Sequence, residues 1–359
     1  MINIHQATES FERWKSSHIP VVKKDLEIKH SAMAAGIFPF FRATFYRWLQ
    51  LWEDVCPEEA RAPKVLAVGD LHVENFGTWR DLEGRLIWGV NDFDEAYRMP
   101  YTIDLVRLAT SVRLAMEEEH LSLKSRSGCD SILEGYCEAL ETGCRPFVLG
   151  ENNKWLRRIA LSRLRDPVRF WGRMEALPAY TGKIPDDVRR LLEDDLPEPE
   201  LPYIRKRRVA GLGSLGHLRV VALAKWRGAW IAREIKALAP SACVWAGGDR
   251  KNSKIHYQEI IGAAARVPDP FLRITEGYLL RRLAPDCSRI LLASLPEDRD
   301  ETRLVRAMGF ETANIHFGSP KSFRAVIRDL ERRPDGWLHR AAKRMAKATR
   351  RDWKQWCDG

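Results

Sequence analysis

No apolar run in this chain of 359 residues approaches the length of a membrane span, and Met1 to Ser10 holds no apolar core of a secretory signal. A membrane-spanning or exported protein is therefore not the expectation. Cysteine patterning is absent as well: the seven cysteines are odd in number, include no CxxC, and show no Cys/His spacing of a zinc site. With neither a disulfide framework nor a structural zinc to expect, the reading is a cytoplasmic protein. Internal repeats and low-complexity tracts are also missing. The length is enough for a substantial core in about two structural units.

Charge is plentiful, with 59 Lys and Arg against 49 Asp and Glu for a net charge of +10. The basic residues concentrate in Arg205 to Arg208 and in Arg324 to Lys354. A last helix from about Trp337 carries Leu338, Ala341, Met345, Ala348, Trp353 and Trp356 among Arg and Lys. Such a helix can meet nucleic acid, an anionic surface or an acidic partner. No RNA-binding signature accompanies it, so the favoured reading docks the apolar stripe on the domain and solvates the charges.

The densest chemistry lies in GDLHVENFG, Gly69 to Gly77, followed by GVNDFDEA, Gly89 to Ala96. Val65 to Val68 reads as a short buried strand ending at Gly69 and Asp70. Phe76 to Trp79 and Leu86 to Val90 read as two strands joined by the turn Arg80 to Arg85. That register sets Asn75 across from Asn91 and Asp92, about 5 Å apart at Cβ. One hard cation can bridge such a pair, because Mg2+ takes one or two carboxylates and fills its shell with water and phosphate oxygens. In phosphoryl transfer a loop Asp takes the acceptor proton, an Asn five residues on holds metal, and a later Asp holds the metal that bridges the phosphates. Asp70, Asn75 and Asp92 follow that order. Asp94 is either a second metal ligand or an exposed turn carboxylate, and the bland alternative for all of them is a polar turn region. His72 is read as shaping the loop, Thr102 as a helix cap, and Asp104 as a first-turn acid that supports the loop.

GLGSLG, with Gly211, Gly213, Ser214 and Gly216, matches both the dinucleotide fingerprint and the kinase phosphate cover. A dinucleotide site needs a helix directly after the glycines. Here His217 to Ala224 and Ala229 to Ile235 read as strands around a turn, which favours the kinase pattern, although Glu234 lies near the spacing of a ribose-binding acid. Lys236 ends the second of these strands, where a kinase lysine meets the α- and β-phosphates. Glu259, on a helix expected over Ser253 to Arg266, is its expected ion-pair partner.

These residues resemble the catalytic segment of aminoglycoside phosphotransferases. With Phe38, Pro39, Phe40, Phe41 and Arg42, the Lys236 strand and Arg281/Arg282, they resemble the ordered landmarks of the kinase-like domain of unknown function 2252 family, from about Lys29 to Gly318. The resemblance implies a protein-kinase-like α+β fold, ATP and Mg2+ as ligands, and transfer to an unidentified acceptor. The short, strongly basic C-terminal region departs from the family pattern. An ordinary kinase presents its glycine loop before its catalytic loop, and here the order is reversed, so a circular permutation is expected. The expected units are a helical catalytic lobe over 1–202, a nucleotide lobe over 203–295 beginning after the Pro-rich connector Leu196 to Pro202, and basic helices over 296–359 packing back on the first. The function read from this is an ATP- and Mg2+-dependent phosphotransferase whose unidentified acceptor includes small molecules among its candidates, with AMP transfer or a non-catalytic nucleotide-sensing or basic interaction module as alternatives. A metallophosphoesterase is the weakest reading, because its histidine-rich metal boxes are missing beyond the Asp70/His72 pair.

Overall fold

The computed structural model describes residues 2–118, 121–150, 152–160, 166–248, 253–287 and 300–359. Five helices open the chain: α1 (Ile4–Ser16), α2 (Lys23–Ala35), α3 (Ile37–Ala43), α4 (Phe45–Val55) and α5 (Pro57–Ala60). Asn3 starts α1 with a capping box, its side chain accepting from Gln6 N while Gln6 returns the bond. Strand β1 (Lys64–Ala67) follows, then a 3-10 turn at Val73–Asn75 and the hairpin β2 (Phe76–Arg80) and β3 (Leu86–Val90). Phe76 pairs with Val90 and Arg80 with Leu86, the register read from the sequence. Strand β4 (Tyr97–Pro100) pairs antiparallel with β1, and α6 (Thr102–Glu117), α7 (Ser125–Thr142), β5 (Phe147–Val148) and α8 (Lys154–Ala160) complete this part.

Helices α9 (Pro167–Ala176) and α10 (Asp186–Asp194) lead into β6 (Tyr203–Lys206), β7 (Arg219–Trp226) and β8 (Ala229–Ala237). After the short helices α11 (Ala242–Ala246) and α12 (Tyr257–Ala263) come β9 (Arg273–Thr275) and β10 (Tyr278–Leu283). The five strands form one antiparallel sheet in the order β6-β7-β8-β10-β9. Strand alternation sorts its faces. Val220, Ala222, Ile235, Ala237 and Leu280 pack under α10, against Val188, Leu191 and Leu192. Val221, Leu223, Ala232 and Leu283 lie on the other face with Met174 of α9, and that face also carries Glu234 and Lys236.

The sheet unit therefore begins before the Pro-rich connector rather than after it, because α9 and α10 bury their apolar residues on the sheet. Conversely, Val244 and Trp245 of α11 and Tyr257 and Ile260 of α12 join the large helical core. The expected boundary at residue 295 lies outside the described residues.

Helices α13 (Glu301–His316), α14 (Pro320–Arg332) and α15 (Trp337–Asp358) return to the helical part. Trp337, Leu338, Ala341, Met345 and Ala348 of α15 are buried in its core, so the basic helix docks by its apolar stripe. Helices α7 and α13 cross at reciprocal glycines. A Cβ on Gly135 would stand 1.9 Å from the Arg306 carbonyl oxygen, and one on Gly309 would stand 2.1 Å from that of Ile132. Glu311 of α13 is buried beneath β3, accepting from Val90 N at 3.2 Å and Asn314 Nδ2 at 2.8 Å. Among the described residues, no helix is long and apolar enough to cross a membrane.

Candidate active site

The loop after β1 is shaped by backbone and carboxylate together. Gly69 has φ +85°, and a Cβ there would meet the Glu95 carbonyl oxygen at 2.5 Å, so only glycine lets the chain turn under residue 95. Asp104 of α6 accepts from Val68 N at 2.7 Å and Gly69 N at 2.8 Å. It also accepts from His316 Nε2 at 2.9 Å, and His316 Nδ1 meets the Tyr136 hydroxyl at 2.8 Å. Asp104 thus supports the loop as expected. Thr102 does not cap its helix, since its hydroxyl donates to the Glu59 carbonyl. His72 accepts from Glu74 N at 3.2 Å, a loop-shaping contact.

Asp70 is gripped by Arg107, one helical turn beyond Asp104. Arg107 Nε donates to Asp70 Oδ1 at 2.8 Å, and Nη2 donates to the same oxygen and to the Phe41 carbonyl. The guanidinium is fully buried and lies over the rings of Phe41, Phe45 and Trp48. With Oδ1 so engaged, Oδ2 is the oxygen nearer the glycine loop: a Cβ on Gly213 would sit 3.3 Å from it. Burial lifts the Asp70 carboxyl above the ordinary carboxylate range, against the pull of Arg107.

Asn75 and Asp92 bracket the hairpin as the register demands, with Asn91 N donating to the Asn75 carbonyl at 3.0 Å. Asn75 Nδ2 donates to the Asp70 carbonyl at 2.5 Å, which leaves Oδ1 as the amide acceptor available to a cation. Asp70, Asn75, Asp92 and Asp94 line one cavity together with Gly211, Gly213 and Ser214. The donors are an amide oxygen and carboxylates, the hard oxygen set that suits Mg2+. Among the described residues, no three His, Cys, Asp or Glu side chains converge on a ready-made metal group. A Mg2+ that shares its shell with phosphate oxygens does not require one.

The glycine segment lies in the β6–β7 connection and is followed by a strand, which removes the dinucleotide arrangement. Gly216 is held by its carbonyl, which accepts from Val22 N at 2.8 Å. Ser214 Oγ accepts from Arg219 Nη2 at 3.1 Å. Glu234 is fully buried and takes Arg208, Arg219 and Arg281 as partners, so it is a structural anion and not a ribose ligand. Burial would raise its pKa, but the three guanidinium groups hold it well below the carboxylate range.

Lys236 does not pair with Glu259. Its Nζ donates to both oxygens of Asp94, at 2.7 and 2.6 Å, and stands 3.9 Å from Asp92 Oδ1. Glu259 instead meets Arg98, Lys254 and His256. The cause is the short helix α12, which buries Tyr257 and Ile260 and leaves Glu259 on its outer side. The His256 bond above all pulls the Glu259 carboxyl down to about 2. Asp94 is accordingly the lysine's partner rather than an exposed turn residue.

Several wall residues were given no role at the site by the sequence reading. Arg42 ion-pairs with Glu74, Glu95 accepts from Ser241 Oγ and Ala242 N, and Lys15 and His217 also face the cavity. Arg107 carried a signal: one arginine inside the apolar helix run Ile103 to Val112 requires a buried partner. Lys15 carried none, since its helix reads as an ordinary amphipathic one.

Neither curated proteins nor solved structures contain a match to the chain. Residues 21–161, which hold the loop after β1, the hairpin and α6, match the family model described as "Uncharacterized protein conserved in bacteria (DUF2252)".

Proposed function

We propose that the protein is an ATP- and Mg2+-dependent phosphotransferase of kinase-like, two-lobed and circularly permuted architecture, acting on a hydroxyl or amine acceptor. One observation carries this reading: Asp70, Asn75 and Asp92 share a cavity with the glycine loop, and Lys236 reaches that wall through Asp94, 142 residues away in the chain. The glycine loop joins the first and second strands of the sheet and Lys236 lies on the third in chain order, as in the kinase template.

Asp70 Oδ2 takes the acceptor proton, helped by its raised affinity for protons. Asn75 and Asp92 would hold Mg2+, which supplies charge neutralisation at the phosphate oxygens when bound. Lys236 exchanges Asp94 for phosphate, and the glycine loop closes over it. The cavity is about 40 Å3, room for about three waters, so nucleotide entry requires the loop to lift.

Calorimetric titration of ATP with and without Mg2+ tests the reading. Metal-dependent binding is expected in the wild type and is lost in Asp92→Ala and Lys236→Ala. Asp70→Ala keeps binding and loses transfer. No binding by the wild type at millimolar ATP refutes the proposal, and full transfer by Asp70→Ala refutes the role given to Asp70. Product analysis separates phosphate transfer from AMP transfer.

A further inference from the structure

Lys15 of α1 lines the cleft cavity although it is only 4% exposed. The neighbouring charges are engaged: Asp70 with Arg107, Asp94 with Lys236, Arg42 with Glu74. Lys15 has one long contact, Nζ to the Gly213 carbonyl at 3.5 Å, and the face of Phe11 at 5.5 Å. Among the described residues it has no ion pair. A buried ammonium left this way is costly unless an anion arrives to meet it.

The position of that anion follows from Gly213. This one residue touches Lys15 through its carbonyl and faces Asp70 Oδ2 across 3.3 Å from an ideal Cβ. Once the loop lifts, the space it leaves lies between the ammonium and the carboxylate that receives the acceptor proton. We propose that Lys15 is a further catalytic residue, donating to the oxygens of the terminal phosphoryl group of a nucleoside triphosphate as that group moves to the acceptor. This rests on the phosphotransferase reading.

In the step, the acceptor oxygen forms a bond to phosphorus while the bond from phosphorus to the bridging oxygen breaks. ADP leaves with the electron pair, and the acceptor proton passes to Asp70 Oδ2. Charge spreads over the three equatorial oxygens, where a fixed cation is most effective. The groups facing Lys15 are Glu12 on its own helix, Lys29 of α2, Asp94 and Glu95 before β4, and His217. Burial, then repulsion from Lys29, brings the Lys15 ammonium down to about 7, against Glu95, Glu12 and Asp94. His217 is held neutral by burial, and its Nδ1 donates to the Ala237 carbonyl at 2.8 Å.

The test compares calorimetric affinities for MgATP and for MgADP with aluminium fluoride, a mimic of the transferring group, in wild type, Lys15→Met and Lys15→Arg. Lys15→Met is expected to bind MgATP within about threefold of wild type and the fluoride complex roughly 100-fold or more weaker. Wild-type affinity for the fluoride complex should fall as pH rises through about 7, while Lys15→Arg, which stays charged, holds it. Unchanged fluoride affinity in Lys15→Met, or an equal loss for both ligands, overturns the role of Lys15 and leaves the phosphotransferase reading standing. The same pH dependence in Lys15→Arg as in wild type overturns it independently, even if Lys15→Met folds poorly. A wild type that binds neither ligand overturns both proposals.

Discussion

Replacing Asp104 by alanine withdraws one carboxylate from three buried donors at once: Val68 N, Gly69 N and His316 Nε2, at 2.7 to 2.9 Å. Hydrogen bonds to a charged group are worth about 1.5–3 kcal/mol each, and a buried donor left unsatisfied costs about 1–3 kcal/mol. The three are not additive, and a water entering the space of the lost carboxylate can serve one or two of them. An expected loss of about 4 kcal/mol follows, a large share of the roughly 5–15 kcal/mol that holds a typical protein folded. Asp104→Asn keeps one acceptor but turns an NH2 toward a backbone N–H, so about half that loss is expected. Equilibrium urea unfolding reads both, with Glu9→Ala as control, because the Glu9–Arg13 pair is more than two-thirds exposed on both sides and worth at most about 0.5 kcal/mol. A loss below about 1 kcal/mol in Asp104→Ala would refute the idea that this carboxylate anchors the loop after β1.

Gly135→Ala is expected to destabilise by about 3 kcal/mol or to push α7 away from α13, since the obstructing atom is the backbone oxygen of Arg306; a melting temperature equal to wild type would contradict it. Burial lifts the Glu311 carboxyl to about 7, against the Asn314 bond, Arg266 and Val90 N. Its folded pKa exceeds the ordinary 4.5, so the folded state holds the extra proton between these values and stability declines as pH climbs from about 4.5 to about 7. Glu311→Gln cannot ionise and should be more stable than wild type by a few kcal/mol at about pH 8 with little gain at about pH 5. Urea midpoints at the two pH values check this, and an equal effect at both would count against it.

What was legible in the sequence is the part governed by local rules. The hairpin of β2 and β3 follows from alternating residues around a turn, and its register sets Asn75 against Asn91, one residue before Asp92. The glycine segment and Lys236 were recognisable because strands flank them. Strand β6 was not, since Tyr203 to Lys206 is a half-exposed edge strand with charged side chains. Glu259 misled because a helix period gives a face but not the depth at which that face is buried. The partnership of Lys236 with Asp94, and the arrival of Lys15 from α1, are contacts between distant segments, and no spacing within either one encodes them.

The bond between Asp104 and His316 has a consequence for biosynthesis. The two residues are separated by 212 positions, so at about 5–20 residues per second the ribosome needs roughly 10–40 s after making Asp104 before its partner exists. During that time the nascent loop bearing Asp70 lacks its His316 anchor, and the helical core lacks the buried residues of α13 and α15. A chain stalled or cut before residue 316 would hold the residues that line the candidate site without the His316 partner of Asp104. Folding of this unit is thereby deferred until α13 and α15 have been made, which leaves the apolar residues of the earlier helices uncovered for that interval.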